Sequence, residues 1–289
     1  MKFTQIALTV LLSAAVAFGV VKYAVPAATS ATHKETAYER VMRTGVLRCA
    51  YAPYPEFMSK DVTTNKLSGF YYDVMEEIGK RLSLKIEWTE EVGFGVAFEG
   101  LKTNRYDAVC INLSATPGRA RAAEFTHPIL FAPYYAYARA NDTRFDGALS
   151  KINDPAITAV ILEGELGQAV KEEDFPKAQM LSLPNFTDVS QSFVNVAMGK
   201  ADITMAEPQA GDVYMAHNPG KIKRIESAPL RMQSIGISVG TGEEALKSLL
   251  NTTIDSLHST GYIERLFTSG PKNKELYFFP STPWKKAGV

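Results

Sequence analysis

Apolar positions four residues apart are the clearest pattern in this chain. Phe70, Val74, Ile78 and Leu82 fall on one face of an amphipathic helix. Leu84-Lys85-Ile86-Glu87-Trp88 then alternates strictly, which predicts a half-buried strand. Upstream, residues 37–43 read as a short helix and Val46-Leu47-Arg48-Cys49-Ala50 as a first strand. Tyr51-Ala52-Pro53-Tyr54-Pro55 cannot continue as strand or helix and reads as a turn. Phe98 and Leu101 face inward from a helix ending near Asn104, and residues 106–112 are apolar enough for a buried strand. Strands alternating with helices predict an α/β fold with a mostly parallel sheet.

A similar unit returns later. Asp188 opens a helix carrying Phe193, Val196 and Ala197, Gly199-Lys200 closes it, and Ala201-Asp202-Ile203-Thr204-Met205 is the strand. Residues 98–109 run in the same order: helix, tight basic turn, x-Asp, apolar strand. Two copies of one local design predict two lobes, each offering a strand end to a shared cleft. Residues 137–142 leave the first lobe. Residues 229–234 return to it, and Ile235-Gly236-Ile237-Ser238-Val239 adds a strand there. Leu246, Leu249, Leu250, Ile254 and Leu257 mark a long final helix. The expected division is a discontinuous first lobe, 38–138 plus 235–289, and a second lobe at 142–230. Two hinge crossovers would allow closure over a ligand.

The densest chemistry lies at Ile111-Asn112-Leu113-Ser114-Ala115-Thr116-Pro117-Gly118-Arg119. Thr116 has the character of an N-cap with Pro117 at the first helical position. Backbone N–H groups at a helix start, the hydroxyl of Ser114 and the donor fork of Arg119 describe a seat for a small anion.

Composition bounds the remaining readings. The 289 residues carry 31 basic and 31 acidic side chains, with no basic patch to argue for nucleic acid. Lys2 precedes an apolar run from Ile6 to Val21 and small residues around Ala27, Ala28 and Ala31, the layout of a secretory signal peptide over residues 1–31. Val25-Pro26-Ala27 and Thr29-Ser30-Ala31 both suit cleavage, and the run left uncut is nearly long enough to serve as an anchor. Cleavage would remove Lys2, Lys22 and no acid, leaving a net charge of −2. Cys49 and Cys110 sit near strand ends. An exported pair can bridge, yet neighbouring parallel strands seldom present good geometry, so a bridge and two buried thiols both stay open.

Several segments together resemble the family 3 solute-binding proteins, the amino-acid receptors of ABC importers. They are Gly45-Val46-Leu47-Arg48, Tyr54-Pro55-Glu56-Phe57, Leu67-Ser68-Gly69-Phe70-Tyr71-Tyr72-Asp73, residues 101–107, Thr116-Pro117-Gly118-Arg119 and Glu124-Phe125-Thr126-His127-Pro128. The resemblance runs from about residue 44 to 270. It implies a type II periplasmic-binding fold, periplasmic placement, a monomer without cofactor or catalysis, and ABC-transporter membrane subunits as partners.

The resemblance also implies a ligand set. Tyr54 and Phe94 would sandwich the apolar body of the ligand, Ser114 and Arg119 would take its carboxylate with nearby backbone N–H groups, and Glu207 its ammonium. Asn112 joins the set from the same strand end as Ser114. Tyr51 stands where relatives selecting cationic side chains can carry an aspartate, which disfavours a lysine- or arginine-like ligand. Glu165, in Glu163-Gly164-Glu165-Leu166-Gly167, departs from the usual small hydroxyl residues. It would repel a ligand carboxylate unless turned outward. The alternatives are a periplasmic enzyme of the cyclohexadienyl dehydratase type, with Glu207 or Glu165 as general acid, and a membrane-anchored sensory or partner-binding module.

Other motifs carry less. Gly236-Ile237-Ser238-Val239-Gly240 has the form of a nucleophile elbow, but Ser238 sits between β-branched residues in a strand rather than at a sharp turn. His33, His127, His217 and His258 lack metal-ligand spacing. Gly93-Phe94-Gly95 lacks the third glycine of a dinucleotide loop.

Overall fold

The computed structural model describes residues 34–54, 57–184, 186–225, 229–268 and 277–280, with the side chain of Asn112 excepted. The chain divides into Met1–Thr36 and Ala37–Val289, and the second unit carries the fold. The predicted signal segment 1–31 and Pro55-Glu56 of the first turn lie outside the described residues. Among those residues no helix is long and apolar enough to cross a membrane.

Helix α1 (Ala37–Thr44) precedes strands β1 (Val46–Tyr51), β2 (Ser59–Lys60) and β3 (Leu67–Ser68). Helix α2 (Phe70–Leu82) buries Phe70, Val74 and Ile78, as the four-residue spacing predicts, and stops where Ser83 turns left-handed with φ 55°. There follow β4 (Lys85–Glu91), α3 (Glu99–Lys102), β5 (Ala108–Ser114), α4 (Pro117–Ala120), β6 (Glu124–Phe125) and β7 (Leu130–Arg139). Next come β8 (Thr158–Leu162), α5 (Leu166–Asp174), β9 (Gln179–Leu183), α6 (Ser190–Ala197), β10 (Ile203–Ala206), α7 (Pro208–His217) and β11 (Ile222–Arg224). The closing elements are β12 (Arg231–Val239), α8 (Glu244–Ser259) and α9 (Tyr262–Thr268).

The main sheet runs β4-β1-β5-β12-β7-β10-β8-β9. Its two ends are parallel, β4-β1-β5 and β10-β8-β9, as the helix–strand alternation predicts. The middle is antiparallel. The expected connections 137–142 and 229–234 fall largely within two long strands, β7 and β12. β7 pairs β12 through residues 130–134 and then β10 through 135–138. Its aromatic, alternating sequence Leu-Phe-Ala-Pro-Tyr-Tyr-Ala-Tyr suits a pleated, buried surface better than a linker.

Each half of the sheet has its own core. In the first, Leu47, Val109 and Ile237 of the sheet meet Val74, Ile78, Leu250 and Ile254 of the helices. In the second, strand alternation sends Ile161 to one face and Val160 to the other, where Val160 meets Phe193 and Val196. The repeated x-Asp unit has a repeated purpose. Asp107, buried before β5, accepts from the backbone N–H of Arg48 at 2.8 Å and pairs with Arg40 and Arg48. Asp202, before β10, accepts from the N–H of Thr158 at 2.9 Å and pairs with Arg139 and Arg144. Each acid thereby ties a strand start to its parallel neighbour.

Cys49 and Cys110 form a disulfide joining β1 to β5, with Cα atoms 5.6 Å apart and both residues fully buried. The bridge, left open by the sequence, closes across adjacent parallel strands.

Candidate functional site

Strand ends from both halves meet where β7 and β12 pass between them. The turn after β1 is pinned by Tyr54 N–H donating to Met58 O at 2.7 Å and Met58 N–H donating back at 2.8 Å. This brings the Tyr54 ring toward Phe94 from the loop after β4. Ser114 ends β5, Arg119 lies in α4, and Glu207 caps α7 directly after β10, with Pro208 at the first helical position. Tyr54, Phe94, Ser114, Arg119, Glu165 and Glu207 line one cavity of about 680 Å³, within the usual range for small-molecule sites.

One member of the expected set falls elsewhere, and the side chain of a second lies outside the described residues. Tyr51, the last residue of β1, is buried edge-on against Trp88 at 6.1 Å and does not line the cavity. Strand alternation sends Tyr51 and the turn residue Tyr54 to different surroundings, so the argument drawn from Tyr51 about ligand charge lapses. Asn112 holds its backbone place in β5, but its side chain lies outside the described residues.

The aromatic arrangement also differs. Tyr54 and Phe94 contact each other edge-to-face, with centroids 5.9 Å apart and planes at 73°. They form one continuous wall rather than two plates around a ligand.

Polar groups divide the cavity in two. On one side the Glu207 carboxylate accepts from the Tyr54 hydroxyl at 3.4 Å and from the side-chain amide of Gln233. Burial, and then the Glu207 charge, push the Tyr54 hydroxyl well above the usual phenol range, so it remains a donor. On the other side Arg119 Nη1 donates to the Ser114 carbonyl at 3.1 Å and to Ser114 Oγ at 2.6 Å. Arg119 Nη2 donates to Glu165 Oε1 at 2.5 Å. Glu165 is therefore neither turned outward nor beside a free guanidinium; it reaches across from the second half and pairs with Arg119. Burial pushes the Glu165 carboxyl up, and the Arg119 charge opposes that rise.

The expected anion seat is filled from within the protein. The cap forms as the sequence predicts, Thr116 Oγ1 accepting from the Arg119 N–H at 3.3 Å. That bond occupies the N–H, however, and the Ala115 N–H donates to the Ser234 carbonyl at 3.1 Å. The turn also touches the second half. Thr116 Oγ1 donates to the Gly164 carbonyl at 3.2 Å, and a Cβ at Gly118 would stand 3.3 Å from that oxygen.

Several lining residues were not expected from the sequence. Gln233 lies in β12 and is buried, and its sequence neighbours Met232 and Ser234 give no signal for it. Tyr134 of β7 accepts a hydrogen bond from the Gly167 backbone, and burial raises its hydroxyl far above the phenol range. Phe186, Asp188 and His217 line the cavity from the second half.

Comparison with known proteins places this geometry. Residues 47–269 match the model of the bacterial extracellular solute-binding proteins, family 3. The amino-acid-binding protein AabA of Dichelobacter nodosus is 24% identical over 222 residues, covering 74% of this chain and 83% of that one. A cyclohexadienyl dehydratase of Pseudomonas aeruginosa is 23% identical over 181 residues, covering 63% of this chain and 66% of that one. A cysteine-binding protein from Campylobacter jejuni superposes with a TM-score of 0.66 at 16% identity, over 86% of this chain and 100% of that one. That likeness carries the type II periplasmic-binding fold.

Proposed function

Because the chain belongs to the bacterial extracellular solute-binding proteins of family 3, we propose that it captures a small, amine-bearing, amino-acid-like solute in the periplasm. The solute would then pass to the membrane subunits of an ABC-type importer. The observation that carries this reading is the cavity itself: Tyr54 and Phe94 from the first half of the sheet face Glu207 from the second. An apolar wall beside a carboxylate suits a molecule with an apolar body and one ammonium. The two halves act as lobes hinged on β7 and β12. A ligand touching both sides stabilises the closed form more than the open one, which is the differential affinity that closure requires.

The disulfide between Cys49 and Cys110 suits an oxidising compartment. Export would come from the apolar segment of residues 1–31, and binding rather than catalysis is proposed. Glu165, one of the two acids that could protonate a substrate, is engaged by Arg119, so prephenate and arogenate should show no turnover.

A thermal-shift screen of amines, amino acids and their derivatives tests the proposal. A ligand at a hundred times its Kd stabilises the native state by about 2.7 kcal/mol. For a chain of this size that raises the melting temperature by roughly 5–10 °C. No shift from any member of the panel would end the proposal.

A further inference from the structure

Resting on the reading of the cleft as a site for an amine-bearing solute, we infer that it selects an organic amine without an α-carboxylate over the corresponding amino acid. Glu165 is the residue that sets this preference.

Three observations point the same way. First, the donor fork that would receive a ligand carboxylate is occupied. Arg119 Nη1 serves Ser114 at both its carbonyl and its hydroxyl, and Nη2 serves Glu165 at 2.5 Å. Glu165 takes a donor of the arginine that the resemblance assigns to a ligand carboxylate, and it comes from the opposite half of the sheet. Second, three backbone donors on either side of Glu165 and at its own N–H are used within the protein. The Gly164 N–H donates to Gln168 Oε1 at 2.9 Å, the Glu165 N–H to the Leu162 carbonyl at 3.3 Å, and the Gly167 backbone to the Tyr134 hydroxyl. Third, the charges lining the cavity lean acidic. Arg119 stands on the lining with three acids, Glu165, Asp188 and Glu207.

Together these make a carboxylate costly. To reach Arg119 it must displace Glu165, leaving a half-buried acid without its cation beside a second anion. An amine meets no such obstacle, because the Arg119–Glu165 pair is self-neutralised and the carboxylates of Asp188 and Glu207 also line the cavity. The cavity of about 680 Å³, lined also by Val213 and His217, leaves room for a body longer than an amino-acid backbone.

Calorimetric titration with pairs differing by one carboxylate tests this: agmatine against arginine, cadaverine against lysine, phenethylamine against phenylalanine. In at least one pair the amine is expected to bind wild-type protein at least tenfold more tightly than its amino acid. In Glu165→Gln, which keeps the shape but releases Arg119 from its ion pair, that ratio should shrink at least tenfold or reverse. If the amino acid binds wild-type protein more tightly, or if the ratio is unchanged in Glu165→Gln, the inference fails while the solute-binding function stands. If no member of any pair binds, the functional reading itself fails and the inference goes with it. The wild-type comparison holds whether or not the variant folds.

Discussion

Glu207→Gln is expected to weaken binding of an amine-bearing ligand about 100-fold, roughly 2.7 kcal/mol. Glu207 follows the last residue of β10 and caps α7, so the end of the strand fixes where its side chain can reach. Its carboxylate accepts from Tyr54, on the first half of the sheet, and from Gln233 on β12, a strand that passes between the halves. Both of these donors are neutral, so neither cancels the charge of Glu207. Glutamine keeps the volume and an acceptor oxygen for Tyr54 but removes that charge. A charge-assisted bond, about twice as strong as a neutral one, is then lost. Calorimetry reads the effect directly. An affinity within threefold of wild type would show that the ammonium is held elsewhere.

The second large effect lies in the first core. Replacing Cys49 and Cys110 together by alanine is expected to lower unfolding stability by about 4 kcal/mol. The bridge closes a separation of 61 residues, and releasing a loop of that length returns conformational entropy to the unfolded chain. The closed loop runs from within β1 to within β5 and includes α2 and the turn that carries Tyr54, so much of the cleft wall depends on it. Urea unfolding should show a midpoint shifted strongly downward. A loss below about 1 kcal/mol would mean that packing alone holds β1 against β5. Because both cysteines are fully buried, mild reductant should leave the folded bridge intact.

Local pattern made much of the scaffold legible. The spacing of Phe70, Val74 and Ile78 locates α2, and Thr116 caps its turn through its hydroxyl. The recurring x-Asp unit marks the two places where an acid anchors a parallel strand. Contacts between distant segments were not legible. Arg119 and Glu165 are 46 positions apart, and no periodicity links them, so a glutamate that seemed misplaced beside a carboxylate site turns out to fill it. The resemblance puts Tyr51 among the ligand residues, whereas the end of β1 buries it against Trp88. The crossovers became strands because their neighbours supply pairing partners over most of their length. Gly100 and Gly211 show the same limit. A Cβ at either would come within 2.1 or 2.3 Å of the rings of Tyr106 and Tyr137, a constraint that exists only once the fold is assembled.

The central claim is that one ligand is held between the two halves of the sheet. Hydrogen–deuterium exchange, with and without the amine giving the largest thermal shift, tests it most directly. The account predicts slowed exchange both at residues 92–97, around Phe94 on the cavity wall, and at residues 207–211, at the start of α7. Protection confined to one of these segments, or appearing only outside them, would contradict it.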